Sequence, residues 1–354
     1  MATVDEQIIE QFDYARHFEN NVDKPEQQGS WLAVPIPVSN PTIGTGLQAA
    51  LLYLHPKDND SEVPNSTSGL VGMYTNSDSQ LIGGFHDGNW NSDLYRYQVM
   101  IGTGEFNLDY FGIGSHSPLA DNPIKYNLMS NILFSQLLRR LPGTKDWYLG
   151  FRYMYIDSNV EFFADDPNEV LPPVEDDMTN SGLGIMTTFD SRDDNYYPTT
   201  GVNFEFVWMR DDEKIGSDFN FEKIDTHYDT YISVSEKSVM ALSAVFAKAT
   251  GDVPFYLLPS LKMRGFANGL YKDDASLSGH GEWRYKFKPR WGTILFYEIG
   301  STAATANDLL ETTISSYGAG LRWQVTKDKK LNLGIDVGFS DDNSAIYVQV
   351  GETF

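Results

Sequence analysis

Apolar and polar residues alternate along most of this chain, in separate segments of about eight to eleven residues. A period of two is typical of a β-strand whose two faces meet different surroundings, and a tilted strand of about ten residues crosses a membrane. About sixteen such segments are present, beginning near residues 45, 69, 80, 93, 105, 126, 147, 181, 201, 219, 238, 278, 291, 316, 331 and 345. The pattern predicts an all-β protein, a sixteen-stranded antiparallel transmembrane β-barrel over residues 31–354.

A membrane-spanning helix is excluded by the same sequence. The longest apolar run extends from Leu47 to Leu54 and contains Gln48. A spanning helix needs roughly 18 apolar residues or more. The first residues also lack the basic and apolar regions of a signal peptide, so for a secreted barrel we expect that a signal has been removed.

The connections between the segments alternate in length. Residues 55–68, 114–124 and 157–180 form the longer ones, residues 87–92 are intermediate, and residues 76–79, 103–104 and 142–146 form the shorter ones. The turn 193–200 is longer than the alternation predicts. Further along, 211–218 and 250–277 are long, whereas 235–237 and 288–290 are short. Transmembrane barrels have long extracellular loops and short periplasmic turns, so the alternation supports a barrel and predicts its orientation.

The last segments show which residues face lipid. Over residues 331–339 the odd positions, from Leu331 to Phe339, are apolar, and the even positions include Asp336. In residues 291–300 the same parity directs Glu298 inward. In residues 317–325 it directs Arg322 inward. The final segment ends in Phe354, and Glu352 interrupts its apolar positions, so we expect Glu352 at the periplasmic rim, where a charge costs little.

The chemistry of the chain does not indicate an enzyme. The net charge of −23 argues against nucleic-acid binding, and the absence of cysteine excludes disulfides and thiolate metal sites. The sequence has no nucleophile-elbow, zinc-protease or phosphate-loop motif, and its six histidines are scattered. We expect no catalytic residues, no metal and no cofactor.

The first thirty residues form a separate segment. Val4, Ile8, Phe12 and Ala15 recur at helical spacing, which predicts a short amphipathic helix within residues 1–30. The segment is either a frayed leader or an element lying in or against the barrel mouth. Residues 31–37 follow with two prolines, so we expect an extended lead-in segment rather than a central strand.

Five motifs occur in a fixed order in the second half of the chain. Asp190-Ser191-Arg192-Asp193 precedes Pro198-Thr199-Thr200-Gly201, and Met263-Arg264-Gly265-Phe266 lies within connection 250–277. A strand with the sequence Glu282-Trp283-Arg284-Tyr285 and one ending Phe296-Tyr297-Glu298-Ile299-Gly300 come next, and the chain finishes Gly-x-x-Phe.

Together these motifs resemble the Omp85 (BamA/TamA-like) superfamily of outer-membrane barrels over about residues 31–354. The resemblance implies that connection 250–277 folds into the lumen, where Arg264, Gly265 and Phe266 lock it against Glu298. The shared inward parity of Glu298 and Asp336 predicts that Asp336 joins this lock. It further implies a periplasmic turn built by Asp190, Arg192, Asp193, Pro198 and Gly201, and an assembly signal ending in Phe354. About thirty preceding residues are too few for the periplasmic POTRA domains usual in that superfamily. The ion pair has a plainer alternative, in which it fixes the loop without a part in transport.

The resemblance also implies a function at the bacterial outer membrane. The barrel would help to insert or translocate proteins, or lipids, through a seam between the first strand, near residues 45–54, and the last, near 346–354. One alternative is a passive or gated pore plugged by loop 250–277. Another is a membrane anchor whose working partner is a second chain. The expected partners are outer-membrane lipid and a client or partner protein.

Overall fold

A computed structural model describes residues 4–16, 29–56, 66–114, 117–163, 171–172, 177–195, 197–267, 269–325, 331–340 and 343–354. It contains one α-helix, α1 (Val4–Arg16), and sixteen strands. The strands are β1 (Ser30–Asn40), β2 (Gly44–Leu54), β3 (Thr67–Thr75), β4 (Gln80–Trp90), β5 (Tyr95–Tyr110), β6 (Ile124–Arg140), β7 (Trp147–Phe162), β8 (Met178–Asp190), β9 (Gly201–Asp211), β10 (Phe221–Ser235), β11 (Ser238–Gly251), β12 (Ala275–Lys288), β13 (Trp291–Ala303), β14 (Ile314–Gln324), β15 (Asn332–Phe339) and β16 (Ser344–Val350). Within the described residues, no helix is both long and apolar enough to cross a membrane.

The sixteen strands form one closed antiparallel barrel. Each strand pairs with its neighbours in the chain, and β1 meets β16 to close the ring. Closure removes the free edges that a sheet would otherwise expose to hydrocarbon. The predicted sixteen-stranded barrel with an N-terminal helical segment is confirmed.

The predicted number of strands is correct although two predicted strand positions are wrong, because the two errors cancel. Residues 31–37 are not a lead-in segment but lie in β1, which pairs with β2 along its whole length. The segments predicted to begin at 93 and 105 are one long strand, β5, and residues 103–104 lie inside it. The prolines therefore mark a strand beside the seam, where a missing N–H need not interrupt a ladder.

The same errors misplace the first connections. β2 ends and β3 begins at the end of the barrel where β1 starts and β16 finishes, which is also the end of the short turns 236–237 and 289–290. Residues 76–79 lie at the opposite end, where β7 ends and β8 begins and where the long connection between β11 and β12 starts and finishes. Because long connections are extracellular, the end carrying 236–237 and 289–290 is periplasmic. From β6 onward the predicted alternation holds.

The outer wall is apolar and ends in aromatic rings. Leu295, Tyr297 and Ile299 on β13 and Ile335 on β15 are exposed at the predicted outward positions. Leu331 differs from the prediction because it precedes β15 and packs in the core cluster. At the periplasmic end, outward rings meet across neighbouring strands, including Trp31 with Tyr53, Trp90 with Tyr95, Trp147 with Phe189 and Trp291 with Trp323. Such a belt marks a membrane interface.

The lumen has two chemically different sides. Over β1–β6 its wall is apolar, with buried residues such as Ile36, Leu52 and Phe85, and α1 packs against it through Ile8, Phe12 and Ala15. Over β12–β15 the wall carries buried charges, among them Glu282, Glu298 and Asp336. The connection between β11 and β12 touches both sides: Phe255, Tyr256 and Leu257 pack in the apolar cluster, whereas Arg264 meets the buried charges.

Candidate functional site: a lumen charge network beside the seam

The tip of connection 252–274 approaches the inner wall closely enough to need glycine on both sides. Gly265 has φ 94°, and a Cβ added to Gly338 of β15 would lie 2.7 Å from the Gly265 nitrogen. The Gly265 N–H donates to the Tyr347 hydroxyl on β16 at 2.9 Å, and the Ser340 hydroxyl donates to the Gly265 carbonyl at 3.1 Å. The loop tip is thereby attached to the last two strands.

Arg264 places one cation among three carboxylates from three strands. Its Nε lies 2.8 Å from Glu298 Oε1 on β13, and its Nη1 lies 3.0 Å from Glu282 Oε2 on β12 and 2.8 Å from Asp336 Oδ2 on β15. Its backbone N–H donates to Glu298 Oε2 at 2.5 Å. The guanidinium carbon lies 3.5 Å from the centre of the Phe296 ring. Burial favours the neutral form of Arg264, but the surrounding carboxylates outweigh it and raise its pKa, so the residue stays charged.

Two further arginines extend the network toward the periplasm. Arg284 donates from Nε to Glu282 Oε1 at 2.7 Å, and Arg322 bonds both oxygens of Asp336. The Arg322 Nε lies 2.9 Å from Glu352. Glu352 is therefore not a solvated rim charge as predicted, because its side chain is 2% exposed and its other oxygen accepts from Asn332 at 2.6 Å.

The last four residues turn into the lumen and take part in the same network. The final strand ends at Val350, and Gly351, with φ 88°, turns the chain inward. The Thr353 hydroxyl accepts from Arg264 Nη1 at 3.2 Å, and the Phe354 carbonyl accepts from Arg284 Nη2 at 2.6 Å. Phe354 thus lies inside the barrel rather than at the end of a strand, and its expected role as an assembly signal stays a prediction.

The predicted periplasmic turn is stabilised by hydrogen bonds between its own residues, and it lies close to this network. Arg192 donates twice to Asp190, at 2.9 and 2.8 Å, and Asp193 accepts from the backbone and hydroxyl of Thr199. Gly201 has φ 105°, and a Cβ there would lie 2.3 Å from the Ser191 carbonyl oxygen. Pro198 is buried. The preceding residue, Tyr197, reaches the network, with its ring centre 5.9 Å from the Arg284 guanidinium carbon.

The structure brings Arg264, Gly265, Phe266, Glu298 and Asp336 together and adds residues that sequence reasoning did not assign to the site. The additional charged residues are Glu282, Arg284, Arg322 and Glu352. Three arginines and four carboxylates leave one net negative charge. The signal that could have found three of them is parity, because Glu282, Arg284 and Arg322 occupy inward positions of their strands.

The network lies beside the weakest junction of the barrel. The register between β1 and β16 contains one position, Ser39 opposite Val348. Every other neighbouring pair of strands has at least seven, the number between β15 and β16. On β1, Pro35 and Pro37 lie opposite Ala49 and Leu47 in an uninterrupted ladder with β2. Because proline lacks an N–H, its donor side must face away from β2, toward the seam.

The helix α1 closes the other side of the lumen. The Gln48 side chain donates to the Gln11 carbonyl at 2.6 Å. The Phe12 ring lies 6.1 Å from that of Phe85, and a Cβ at Gly83 would lie 2.6 Å from Phe12. Phe12 therefore depends on a glycine in the wall opposite it.

A closed sixteen-stranded barrel with an apolar outer wall and aromatic belt is an outer-membrane β-barrel. A family model described as the Omp85 superfamily domain matches residues 119–354. The chain belongs to the Omp85 superfamily, whose members are mainly insertases and transporters.

Solved structures agree on the fold. The BamA structure from Haemophilus ducreyi lacking POTRA domains 1–3 is 16% identical, with a TM-score of 0.62 over 92% of this chain and 70% of that one. CdiB from Escherichia coli is 10% identical, with a TM-score of 0.62 over 93% and 63%. CdiB from Acinetobacter baumannii is 12% identical, with a TM-score of 0.55 over 92% and 60%. No protein of curated function matches the sequence. Because it belongs to the Omp85 superfamily, the chain is a bacterial outer-membrane protein.

Proposed function

We propose that this barrel assists the insertion or translocation of proteins at the outer membrane by opening between β1 and β16. The observation that carries the proposal is the seam, which has one paired position where the other neighbouring strands have seven or more. Unpaired backbone N–H and C=O groups in hydrocarbon cost several kcal/mol each. A strand from a client protein could satisfy them by pairing with an exposed edge.

The charge network would hold the last strands in the geometry that limits β1 and β16 to one paired position. Tyr347 of β16 donates to the Phe266 carbonyl at 3.3 Å and accepts from Gly265, so the loop tip fixes the middle of β16. Glu352 and Thr353, bound to Arg322 and Arg264, hold the chain after Gly351 away from β1. We infer that Arg264 is the centre of this lock, because it contacts the loop's partners on β12, β13 and β15 and the inward-turned tail.

A disulfide across the seam tests the proposal. The chain has no cysteine, so Ser39→Cys with Val348→Cys creates a single defined pair. Directly opposite residues of antiparallel strands have Cα atoms about 4.5–5.5 Å apart, within the range a disulfide spans. We expect the oxidised variant to lose acceleration of client-barrel folding into liposomes and to regain it on reduction. Leu51→Cys with Leu70→Cys, opposite each other on β2 and β3, is the matched control and should stay active. Full activity with the seam oxidised would refute the proposal.

A gated pore is the second candidate, favoured by the lumen that α1 and connection 252–274 fill from two sides. Phe12→Ala removes the ring that packs against Phe85 and the wall at Gly83, so α1 should leave its position more often. If the protein is a pore, this variant should show larger or more frequent conductance steps in planar bilayers. Conductance without acceleration of client folding would favour the pore over the insertase.

A further inference from the structure

Three basic side chains lie close together at the periplasmic end of a chain that is otherwise acidic. Lys237 lies in the turn between β10 and β11, and Lys288 and Arg290 lie at the turn between β12 and β13. Lys237 and Lys288 are exposed. Within residues 236–237 and 286–290, Glu236 is the sole acidic residue, whereas the whole chain has a net charge of −23. The local charge is thus opposite to that of the molecule.

The fold holds these cations next to one another. The Lys286 N–H donates to the Lys237 carbonyl at 2.8 Å, which joins the two turns. The Arg290 side chain donates to the carbonyls of Gln324 and Val325, at 2.9 and 2.6 Å, which joins the second turn to the end of β14. Neighbouring strands are about 4.8 Å apart, so the three cations lie along a short arc of the rim.

The outer wall directly above this arc carries aromatic rings. Trp283 stacks on Tyr285, with ring centroids 5.5 Å apart, and Trp291 lies 6.5 Å from Trp323. The Arg290 guanidinium carbon is 5.0 Å from the centre of the Trp323 ring. Tryptophan and tyrosine occupy the headgroup level of a bilayer, so the cations lie at the depth of the lipid phosphates.

We propose that Lys237, Lys288 and Arg290 form a binding site for an anionic phospholipid of the leaflet that faces the periplasm. The lipid's acyl chains would lie on the apolar outer wall, and its phosphate and acidic headgroup would meet the three cations. Charge complementarity selects an anionic lipid over a zwitterionic one. A basic residue near a membrane surface strengthens the binding of anionic lipid about fivefold.

Native mass spectrometry of the whole barrel tests this site with two lipids of the same acyl chains, phosphatidylglycerol and phosphatidylethanolamine. The unmodified protein should retain phosphatidylglycerol preferentially. Because each cation contributes about fivefold, the Lys237→Gln/Lys288→Gln variant should lower this preference by roughly 25-fold. Adding Arg290→Gln should lower it further. Lys125→Gln/Lys214→Gln removes two exposed cations at the extracellular end and should leave the preference unchanged.

Three outcomes would overturn the proposal. The first is an unmodified protein that retains both lipids equally. The second is a control variant that loses as much preference as the Lys237 and Lys288 variant. The third is millimolar inorganic phosphate displacing phosphatidylglycerol completely, which would indicate a site for free anions. The Lys237 and Lys288 side chains are exposed, so their double variant should fold, and a heat-modifiability gel checks folding of every variant, including the one that adds Arg290→Gln.

Discussion

Arg264 shows how one buried side chain can connect distant parts of the chain. Its partners come from β12, β13 and β15 and from residue 353, so a single guanidinium links about ninety residues of sequence. Parity along the strands identifies inward residues such as Glu298 and Asp336. Parity does not show where along the barrel axis a residue lies, so it could not predict that Glu282 also pairs with Arg264. Nor could it predict that Glu352 lies away from the rim and pairs with Arg322. Those pairings depend on strand register and on the turn at Gly351.

Replacing Arg264 should cost more than removing an exposed cation. Arg264→Ala leaves three buried carboxylates with one cation fewer, and breaking a buried pair costs about 3–5 kcal/mol. Arg210→Ala is the control, because Arg210 is 50% exposed and pairs with exposed Glu222, where a pair contributes at most about 1 kcal/mol. Urea unfolding in detergent micelles measures both variants. Equal losses would show that the network does not stabilise the fold.

Lys272, in connection 252–274, should make stability depend on pH. Its burial lowers its pKa from 10.5 to about 8. Because the folded pKa lies below the unfolded one, the protonated side chain opposes folding fully below pH 8, and this cost falls as the pH rises toward 10.5.

Substituting Lys272 checks the sign. Lys272→Met should be more stable than the unmodified protein at pH 7, by on the order of 3 kcal/mol, and the difference should shrink between pH 8 and 10.5. Burial also raises the pKa of the neighbouring Asp273 carboxyl above its ordinary value. A difference that stays constant from pH 7 to 10.5 would contradict the prediction.

At the level of single elements, sequence reasoning predicted β1 and β5 wrongly. Prolines 35 and 37 suggested that β1 was not a strand, although proline is tolerated where its donor side meets no ladder. Gly102 and Gly104 made the middle of β5 look like a turn. Gly102 lies opposite Gly83, and Phe12 of α1 packs against both. The reason for Gly102 lies about ninety residues away in sequence, so local patterns could not reveal it.

Restoring the missing N–H donors of β1 should increase the number of paired positions between β1 and β16. Pro35→Thr with Pro37→Thr adds two N–H groups and a residue that favours strands. We expect slower hydrogen exchange at the amides of Val348 and Val350, and reduced acceleration of client folding. Pro41→Thr, in the connection after β1, is the control because it adds a donor outside the ladder. If exchange is unchanged in the double variant, the prolines do not limit the seam.

At the scale of the whole molecule, alternation was sufficient to predict the barrel and motif order its family, and the resemblance to that family supplied the expectation of a lumen loop. They were not sufficient to predict what fills the rest of the lumen. The helical spacing of Ile8, Phe12 and Ala15 identified an amphipathic helix. Its docking against β1–β5 depends on the shape of a wall that exists only after closure.

The participation of residues 351–354 in the network has a consequence for how the barrel is completed. Translation delivers these residues after every strand, yet Arg284 and Arg322 draw partners from them. A polypeptide clipped or stalled a few residues early would carry all sixteen strands and still bury cations with too few acceptors. Such a molecule should be slow to mature and easy for proteases to degrade, so the charges inside the barrel make its stability depend on whether residues 351–354 are present.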